Sequence, residues 1–132
     1  MDEVSPLKLP PHSIEAERSV LGGLMLDDNA WDNISGSLAA EDFYRSDHRT
    51  IYRVMGGLVE RNNPLDIITI SEALEGIGEL ENVGGLAYIS DLASSTPTAS
   101  NIKAYAQIVR ERATVRSLIS VAHEIADSGF NP

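Results

Sequence analysis

The sequence has no cysteine and few aromatic residues, with two Phe, one Trp and four Tyr among 132 residues. The lack of cysteine excludes a disulfide scaffold, a thiol nucleophile and a Cys-ligated zinc site. Long apolar runs are also missing, since none approaches the roughly 18 residues typical of a membrane span. The acidic first residues do not form a secretory signal. These absences predict a soluble, cytoplasmic protein with a mainly aliphatic core.

Basic residues are scarce as well: ten Lys and Arg stand against twenty Asp and Glu, which gives a net charge of −10. A module that wraps duplex DNA needs clustered cations, so this balance argues against direct nucleic-acid binding. The deficit lies in residues 1–100, which hold six basic and seventeen acidic side chains, whereas residues 101–132 hold four and three. The sequence therefore predicts an acidic body followed by a near-neutral segment.

A motif for nucleotide binding is absent too. The sequence has no Gly-x-x-x-x-Gly-Lys-[Ser/Thr] stretch, which is the P-loop that cradles phosphates. The glycine pairs Gly22-Gly23, Gly56-Gly57 and Gly84-Gly85 are not followed by the required lysine. The first two pairs lie inside predicted helices, where close helix–helix approach would offset the conformational cost of glycine. We interpret them as packing glycines and expect no bound cofactor.

Candidate catalytic residues are equally sparse. The histidines His12, His48 and His123 are far apart in sequence and form no His-Glu-x-x-His motif. His48 is interpreted as a solvated or capping residue rather than a catalytic base. Adjacent acids such as Asp27-Asp28 and Glu41-Asp42 suit helix caps better than a pair of catalytic carboxylates. The sequence thus predicts neither a catalytic site nor a metal site.

Polar caps and apolar periodicity predict a series of helices. Residues 65–70 are ambiguous, because β-branched isoleucines suit a strand, but a single strand would have no partner in this chain. We favour a helix from Asp66 to Gly76. The other predicted elements are, in chain order, a helix over 14–26 capped by Ser13, a short helix with Trp31 and Ile34 capped by Asp27 or Asp28, a helix capped by Ser46 and ended by Asn62-Asn63-Pro64, and a helix opened by Gly84-Gly85 with Leu86, Ile89, Leu92 and Ala93 on one side.

The last predicted helix is the longest, since residues 99–128 contain neither proline nor glycine and Gly129 suits the C′ position. Its apolar stripe rotates about the helix axis between the two halves. The first stripe, with Ile102, Tyr105 and Val109, is expected to pack on the globule. The predicted fold class is all-α, with a flexible arm over 1–12, a compact multi-helix globule over 13–98 and a long helix over 99–128.

The second stripe of this helix has the 3-4-3 spacing of a short coiled-coil seam. Because an uncovered apolar stripe promotes association, we expect a helical hairpin or a dimer contact here. The alternative is that the stripe folds back on the globule. Arg112, Arg116 and His123 flank the stripe and indicate a docking surface for a protein partner, with a solvated helix face as the alternative. The candidate oligomer interface comprises Val115, Leu118, Ile119, Ala122, Ile125 and Ala126.

Several segments resemble the beginning of the bacterial replicative DNA helicases of the DnaB family. They occur in the family's order and span residues 10–132, nearly the whole chain. The opening segment is the most specific of them. The matching segments are 10–17 (PPHSIEAE), 19–26 (SVLGGLML), Asp42-Phe43-Tyr44, His48, Asp66, Val83-Gly84-Gly85, Thr96-Pro97, Asn101-Ile102 and 105–112 (YAQIVRER).

The resemblance implies a non-catalytic N-terminal domain, because the family's RecA-like ATPase domain, with its ATP and magnesium, has no counterpart in these residues. It implies that the last helix is the first arm of a helical hairpin, that residues 129–132 begin the hairpin turn, and that the second arm lies beyond Pro132. In that family six copies form a collar, commonly as a trimer of dimers. The collar also docks the C-terminal domain of DnaG primase, and a helicase loader is a further partner to consider.

The resemblance leaves the docking residues open, and we expect them on the last helix. The candidates are Tyr105, Arg112, Arg116, Ile119 and His123. An alternative function is a stand-alone acidic helical adaptor that binds a basic protein. A third hypothesis, the least favoured, is a small helical hydrolase that uses His48 and nearby acids. If the chain is instead a non-catalytic domain, His48→Ala should leave every activity unchanged.

Overall fold

The computed structural model describes residues 9–131, and every regular element in them is a helix. The all-α prediction is therefore confirmed. The six α-helices are α1 (Ile14–Leu26), α2 (Trp31–Ile34), α3 (Ser46–Glu60), α4 (Ile67–Gly76), α5 (Gly85–Ser95) and α6 (Ile102–Phe130). Short 3-10 turns at Asp28–Ala30 and Ala40–Asp42 lie on either side of α2.

Local capping explains where several helices begin. Ser13 Oγ accepts the Ala16 amide at 3.2 Å, and Asp66 Oδ1 accepts the Thr69 amide at 2.8 Å. The second cap resolves the strand-or-helix ambiguity in favour of a helix, as predicted. Gly84 precedes α5 with φ +105°, a left-handed conformation that glycine adopts without strain.

Two predicted helix boundaries are wrong. Ser46 is the first residue of α3 rather than its N-cap, because the Arg45 carbonyl already accepts the Arg49 amide at 3.1 Å. Gly129 lies inside α6 rather than at the C′ position, since the helix continues to Phe130. Glycine at a helix end therefore does not stop this helix.

The predictions for the chain ends are only partly covered by the described residues. Of the flexible arm predicted at 1–12, residues 9–12 are described, and they contact the body: the His12 ring stacks on Tyr44 with centroids 4.2 Å apart. Of the hairpin turn predicted at 129–132, Gly129 and Phe130 are helical and Pro132 lies outside the described residues.

The globule is organised around α1, which packs against α3, α5 and α6. Val20 and Leu24 are closed to solvent. Gly22 approaches the end of α5 so closely that a Cβ would overlap Thr96 Oγ1 and the Leu92 carbonyl oxygen. Glycine at this position therefore permits the helix packing, as predicted for the first glycine pair.

Two other packing predictions are wrong. A Cβ on Gly57 would meet nothing nearer than Arg61 Nη1 at 3.6 Å, and one on Gly56 would touch Trp31 at an ordinary 3.4 Å. Close helix approach therefore does not explain this pair. Leu86 is 54% exposed rather than buried, because it lies about 100° around α5 from the buried face.

Only the first half of α6 packs against the globule. Ile102, Ala106 and Val109 are buried, whereas every residue from 117 to 131 is exposed. We call residues 117–130 the rod. With 29 residues, α6 is about 44 Å long, so the rod extends about 20 Å. A compact multi-helix globule followed by a long C-terminal helix is thus confirmed.

Candidate functional site

The second half of α6 carries an uncovered apolar surface, which we call the open strip. Leu118 is 63% exposed and Ile125 is 67% exposed, and the other members are exposed as well. The alternative in which this stripe folds back on the globule is therefore contradicted. The open strip consists of Val115, Leu118, Ala122 and Ile125, with Ile119 and Ala126 along one edge.

A second surface of α6, the rod cleft, lies next to the open strip. The cleft has a volume of about 580 Å³ and is bounded on one side by the chain segment that precedes α1. Ile119 belongs to both surfaces, so a ligand in the cleft would border a protein on the strip. The cleft is lined by Leu9, Pro10, Arg116, Ile119, Ser120 and His123.

Arg116 connects three parts of the chain. Its Nη1 donates to the Pro11 carbonyl at 2.8 Å, and its Nη2 donates to the Asp42 carbonyl at 2.7 Å. The guanidinium carbon also lies 5.4 Å from the centre of the Tyr44 ring, which stacks on His12. Arg116, predicted to lie on a docking surface, thus uses two of its five N–H donors in bonds to carbonyls of its own chain.

The remaining docking candidates do not form one cluster. His123 and Ile119 line the rod cleft with Arg116. Tyr105 is half-buried and lies in a separate cleft against α1. Arg112 is half-buried and makes no hydrogen bond or ion pair with another residue in the described range. The structure therefore groups three of the five candidates.

A buried polar chain lies inside the globule, where sequence analysis expected a solvated His48. His48 is closed to solvent; its Nδ1 lies 2.7 Å from Glu17 Oε1 and its Nε2 lies 2.6 Å from the Tyr88 hydroxyl. Glu17 is 1% exposed, and its Oε2 accepts the Tyr44 amide at 2.6 Å. The prediction of a solvated or capping His48 is wrong, because the partners of this histidine come from α1 and α5.

Tyr88 connects these buried polar groups to the surface, since it is half-buried and bonds to His48. The guanidinium carbons of Arg18 and Arg45 each lie 5.3 Å from the centre of its ring. Burial raises the pKa of the Tyr88 phenol, although both arginines oppose the shift. Donating a hydrogen bond to Asp91 raises the pKa of the Arg18 guanidinium, and donating to Asp47 raises the pKa of the Arg45 guanidinium. The roles of Glu17 and Tyr88 were not predicted, since their partner His48 lies 31 and 40 residues away in sequence.

Asp42 acts as a cap, as predicted. Asp42 Oδ2 accepts the Ala39 amide at 2.8 Å, so this carboxylate caps the turn before α3. The same carboxylate lies 3.3 Å from Arg110 Nη1, which attaches α6 to that turn.

The predicted cap of α2 by Asp27 or Asp28 is wrong, because the residue before α2 is Ala30, which makes no side-chain cap. Asp27 Oδ1 instead accepts the Asn29 amide at 3.1 Å, within the preceding 3-10 turn.

Metal sites and membrane-spanning helices are two features that residues 9–131 do not show. No three His, Asp or Glu side chains in this range are grouped so that they could hold a metal ion. No helix in it combines the length and apolar content needed to span a bilayer. The surfaces on α6 offer apolar area edged by polar groups, a composition common in protein interfaces.

Comparisons with known proteins agree with the fold. The model of the family "DnaB-like helicase N terminal domain" matches residues 9–111. The replicative DNA helicase DnaB of Haemophilus influenzae is 45% identical over 130 residues, which is 98% of this chain and 28% of the helicase. The chain therefore spans less than a third of that relative.

Solved structures resemble the chain closely as well. The N-terminal domain of DnaB helicase from Mycobacterium tuberculosis has a TM-score of 0.91 and 36% identity, covering 93% of this chain and 88% of that domain. A second structure, of "a DnaB-like replicative helicase and its interactions with primase", has a TM-score of 0.79 and 26% identity, covering 91% of this chain and 28% of that one.

Proposed function

The chain belongs to the DnaB-like helicase N-terminal domain family, and on that basis we propose that it is a non-catalytic collar domain of a replicative DNA helicase. In this role it associates with copies of itself and docks primase at the replication fork in the bacterial cytoplasm. The motor activity belongs to the longer helicase and uses ATP and magnesium outside these residues.

The open strip is the observation that carries the assembly part of this proposal. An apolar strip of this length on a projecting helix is costly to leave in water, and association covers it. We propose that residues 102–130 form the first arm of a helical hairpin, with the strip packed against the second arm and against a second copy. Six such copies would form the collar.

The rod cleft is where we place the primase contact. Its walls combine the apolar Ile119 with His123 and the polar edge of Ser120, and protein interfaces commonly have an apolar centre with a polar rim. The solved relative described with primase supports the choice of partner. A helicase loader would be a further partner of the assembled protein. The acidic globule disfavours direct contact with DNA phosphates.

Equilibrium binding to the C-terminal domain of DnaG primase tests this function. The labelled primase domain should bind saturably in the micromolar range, and His123→Glu, on the rod cleft, should weaken binding about tenfold or more, or about 1.4 kcal/mol. The matched control is Ser117→Glu, an exposed position that faces away from both the cleft and the open strip.

The same experiment separates the proposal from its rivals. Absence of primase binding at high concentration would favour a stand-alone adaptor for a basic protein partner. ATP hydrolysis that copurifies with the chain through successive columns would contradict a non-catalytic domain.

A further inference from the structure

A third cleft lies between α3 and the end of α4, on a part of the globule that α6 does not line. We call it the α3–α4 cleft. Its volume is about 500 Å³, which is within the range of pockets that bind ligands. One wall is a single face of α3, with Thr50, Val54 and Gly57 at spacings of four and three residues. This surface is separate from those assigned above to assembly and primase.

The floor of this cleft is apolar and shallow. Val54 and Ala73 are half-buried at its base, and Ile77 forms a lip with 60% of its surface exposed. Gly57 adds no side chain, and a Cβ there would have only Arg61 Nη1 within contact range. The glycine that close packing did not explain thus leaves the groove open along α3.

Two arginines line the same wall in a chain whose net charge is −10. Arg53 and Arg61 are eight residues apart, which corresponds to about 12 Å along the helix. Arg53 lies 3.8 Å from Glu41, but both side chains are more than half exposed, and such surface pairs contribute little and exchange readily. Glu79 lines the cleft at the α4 side.

We propose that the α3–α4 cleft binds an acidic amphipathic helix from a partner protein. A helix laid along α3 would place apolar side chains at i, i+4 and i+7 over Val54 and Gly57. Carboxylates two turns apart on that helix would match the 12 Å spacing of Arg53 and Arg61, about 1.5 Å per residue. Bidentate pairing with carboxylates is the contact that arginine makes best.

The probe for this cleft is a pair of synthetic helical peptides of equal length. Both carry leucines at i, i+4 and i+7, and they differ only in the flanking positions, which are glutamates in one peptide and lysines in the other. The ¹⁵N-labelled chain of 132 residues is titrated with each. We expect the glutamate peptide to shift amides at 50–61 and 73–79 saturably and the lysine peptide to bind at least tenfold more weakly.

Three variants sharpen the assignment. Arg53→Glu combined with Arg61→Glu should lower the affinity for the glutamate peptide at least tenfold. Gly57→Leu should lower it by a similar factor, because leucine fills the groove without a change of charge. The matched control is Lys103→Glu combined with Arg112→Glu, which alters charge equally on α6 and should leave binding unchanged. Circular dichroism checks that each variant keeps its helices.

Several outcomes would overturn the proposal. Equal binding of the two peptides, or shifts confined to 115–126, would show that the cleft does not select an acidic helix. Loss of self-association in the Arg53→Glu/Arg61→Glu variant, without any peptide binding, would identify the cleft as an interface between copies and contradict the proposal. Primase binding by the same variant should stay intact, so failure here is distinguishable from failure of the collar function.

Discussion

The carboxylate of Glu17 and the imidazole of His48 form a buried pair, with Oε1 and Nδ1 2.7 Å apart and neither side chain more than 2% exposed. Because an ionised carboxylate can only accept, Nδ1 carries the hydrogen and donates to it. The pair joins α1 to α3 across 31 residues of sequence. The histidine is therefore a structural residue of the core.

Removing one member of this pair should destabilise the domain strongly. Glu17→Ala leaves the Tyr44 amide and the His48 ring without their acceptor. We expect the free energy of unfolding in urea to fall by about 3–5 kcal/mol. The control is Glu15→Ala, an exposed position in the same helix turn, which should cost less than about 1 kcal/mol. Equal effects of the two substitutions would contradict a structural role for the buried pair.

Tyr52 should make the stability depend on pH in the alkaline range. Burial raises the pKa of its phenol from 10.0 to about 12. Between these values the unfolded chain has released this proton while the folded chain retains it. Stability is therefore complete below about pH 10 and should fall by about 1.4 kcal/mol per pH unit up to about pH 12.

The comparison variant for this prediction is Tyr52→Phe. It loses the hydrogen bond to the Leu38 carbonyl, a constant cost, but has no phenol to titrate. Urea unfolding gives the free energy of unfolding at each pH. Between about pH 9 and 12 this free energy should fall by about 2–3 kcal/mol less for the variant than for the unmodified chain. Parallel curves would contradict the raised pKa.

Replacing two helical glycines with alanine should change the stability of the domain in opposite directions. Gly22→Ala forces a Cβ into Thr96 and the Leu92 carbonyl, and should cost about 1–3 kcal/mol or more in thermal unfolding. Gly57→Ala meets no such obstacle and should stabilise the domain by about 0.5–1 kcal/mol through lower chain entropy. The result that would refute this packing account is a gain in stability from Gly22→Ala.

Arg116 should behave as a structural residue more than as a docking residue. Arg116→Ala removes two hydrogen bonds from a charged group to backbone carbonyls, and we expect a loss of about 1.5–3 kcal/mol in unfolding free energy. Arg112→Ala, on the neighbouring turn of α6, should cost less than about 0.5 kcal/mol. If Arg116→Ala lowers primase affinity while the unfolding free energy is unchanged, the docking interpretation is the correct one.

The helices could be predicted from the sequence because their caps and apolar stripes depend on residues only a few positions apart. The hydroxyl of Ser13 and the carboxylate of Asp66 cap helices whose first amides lie three residues away. The rotation of the apolar stripe along α6 likewise follows from helix geometry, and it predicted both the buried first half and the open strip.

Contacts between distant residues could not be predicted in the same way. Arg116 bonds to a carbonyl 105 residues earlier, and His48 to residues on two other helices. Nothing in the sequence near His48 distinguishes a buried histidine from a capping one. Gly57 is unexplained by close packing because it borders a groove between α3 and α4, and the position of α4 cannot be read from the sequence around Gly57.

Sedimentation of the chain, alone and mixed with the C-terminal domain of primase, tests the collar function most directly. The account predicts a dimer or larger homo-oligomer that gains mass with primase. It also predicts that Leu118→Asp shifts the chain toward monomer with its helical content kept, whereas Ser117→Asp does not. A chain that stays monomeric at every concentration and forms no complex with primase would contradict the account.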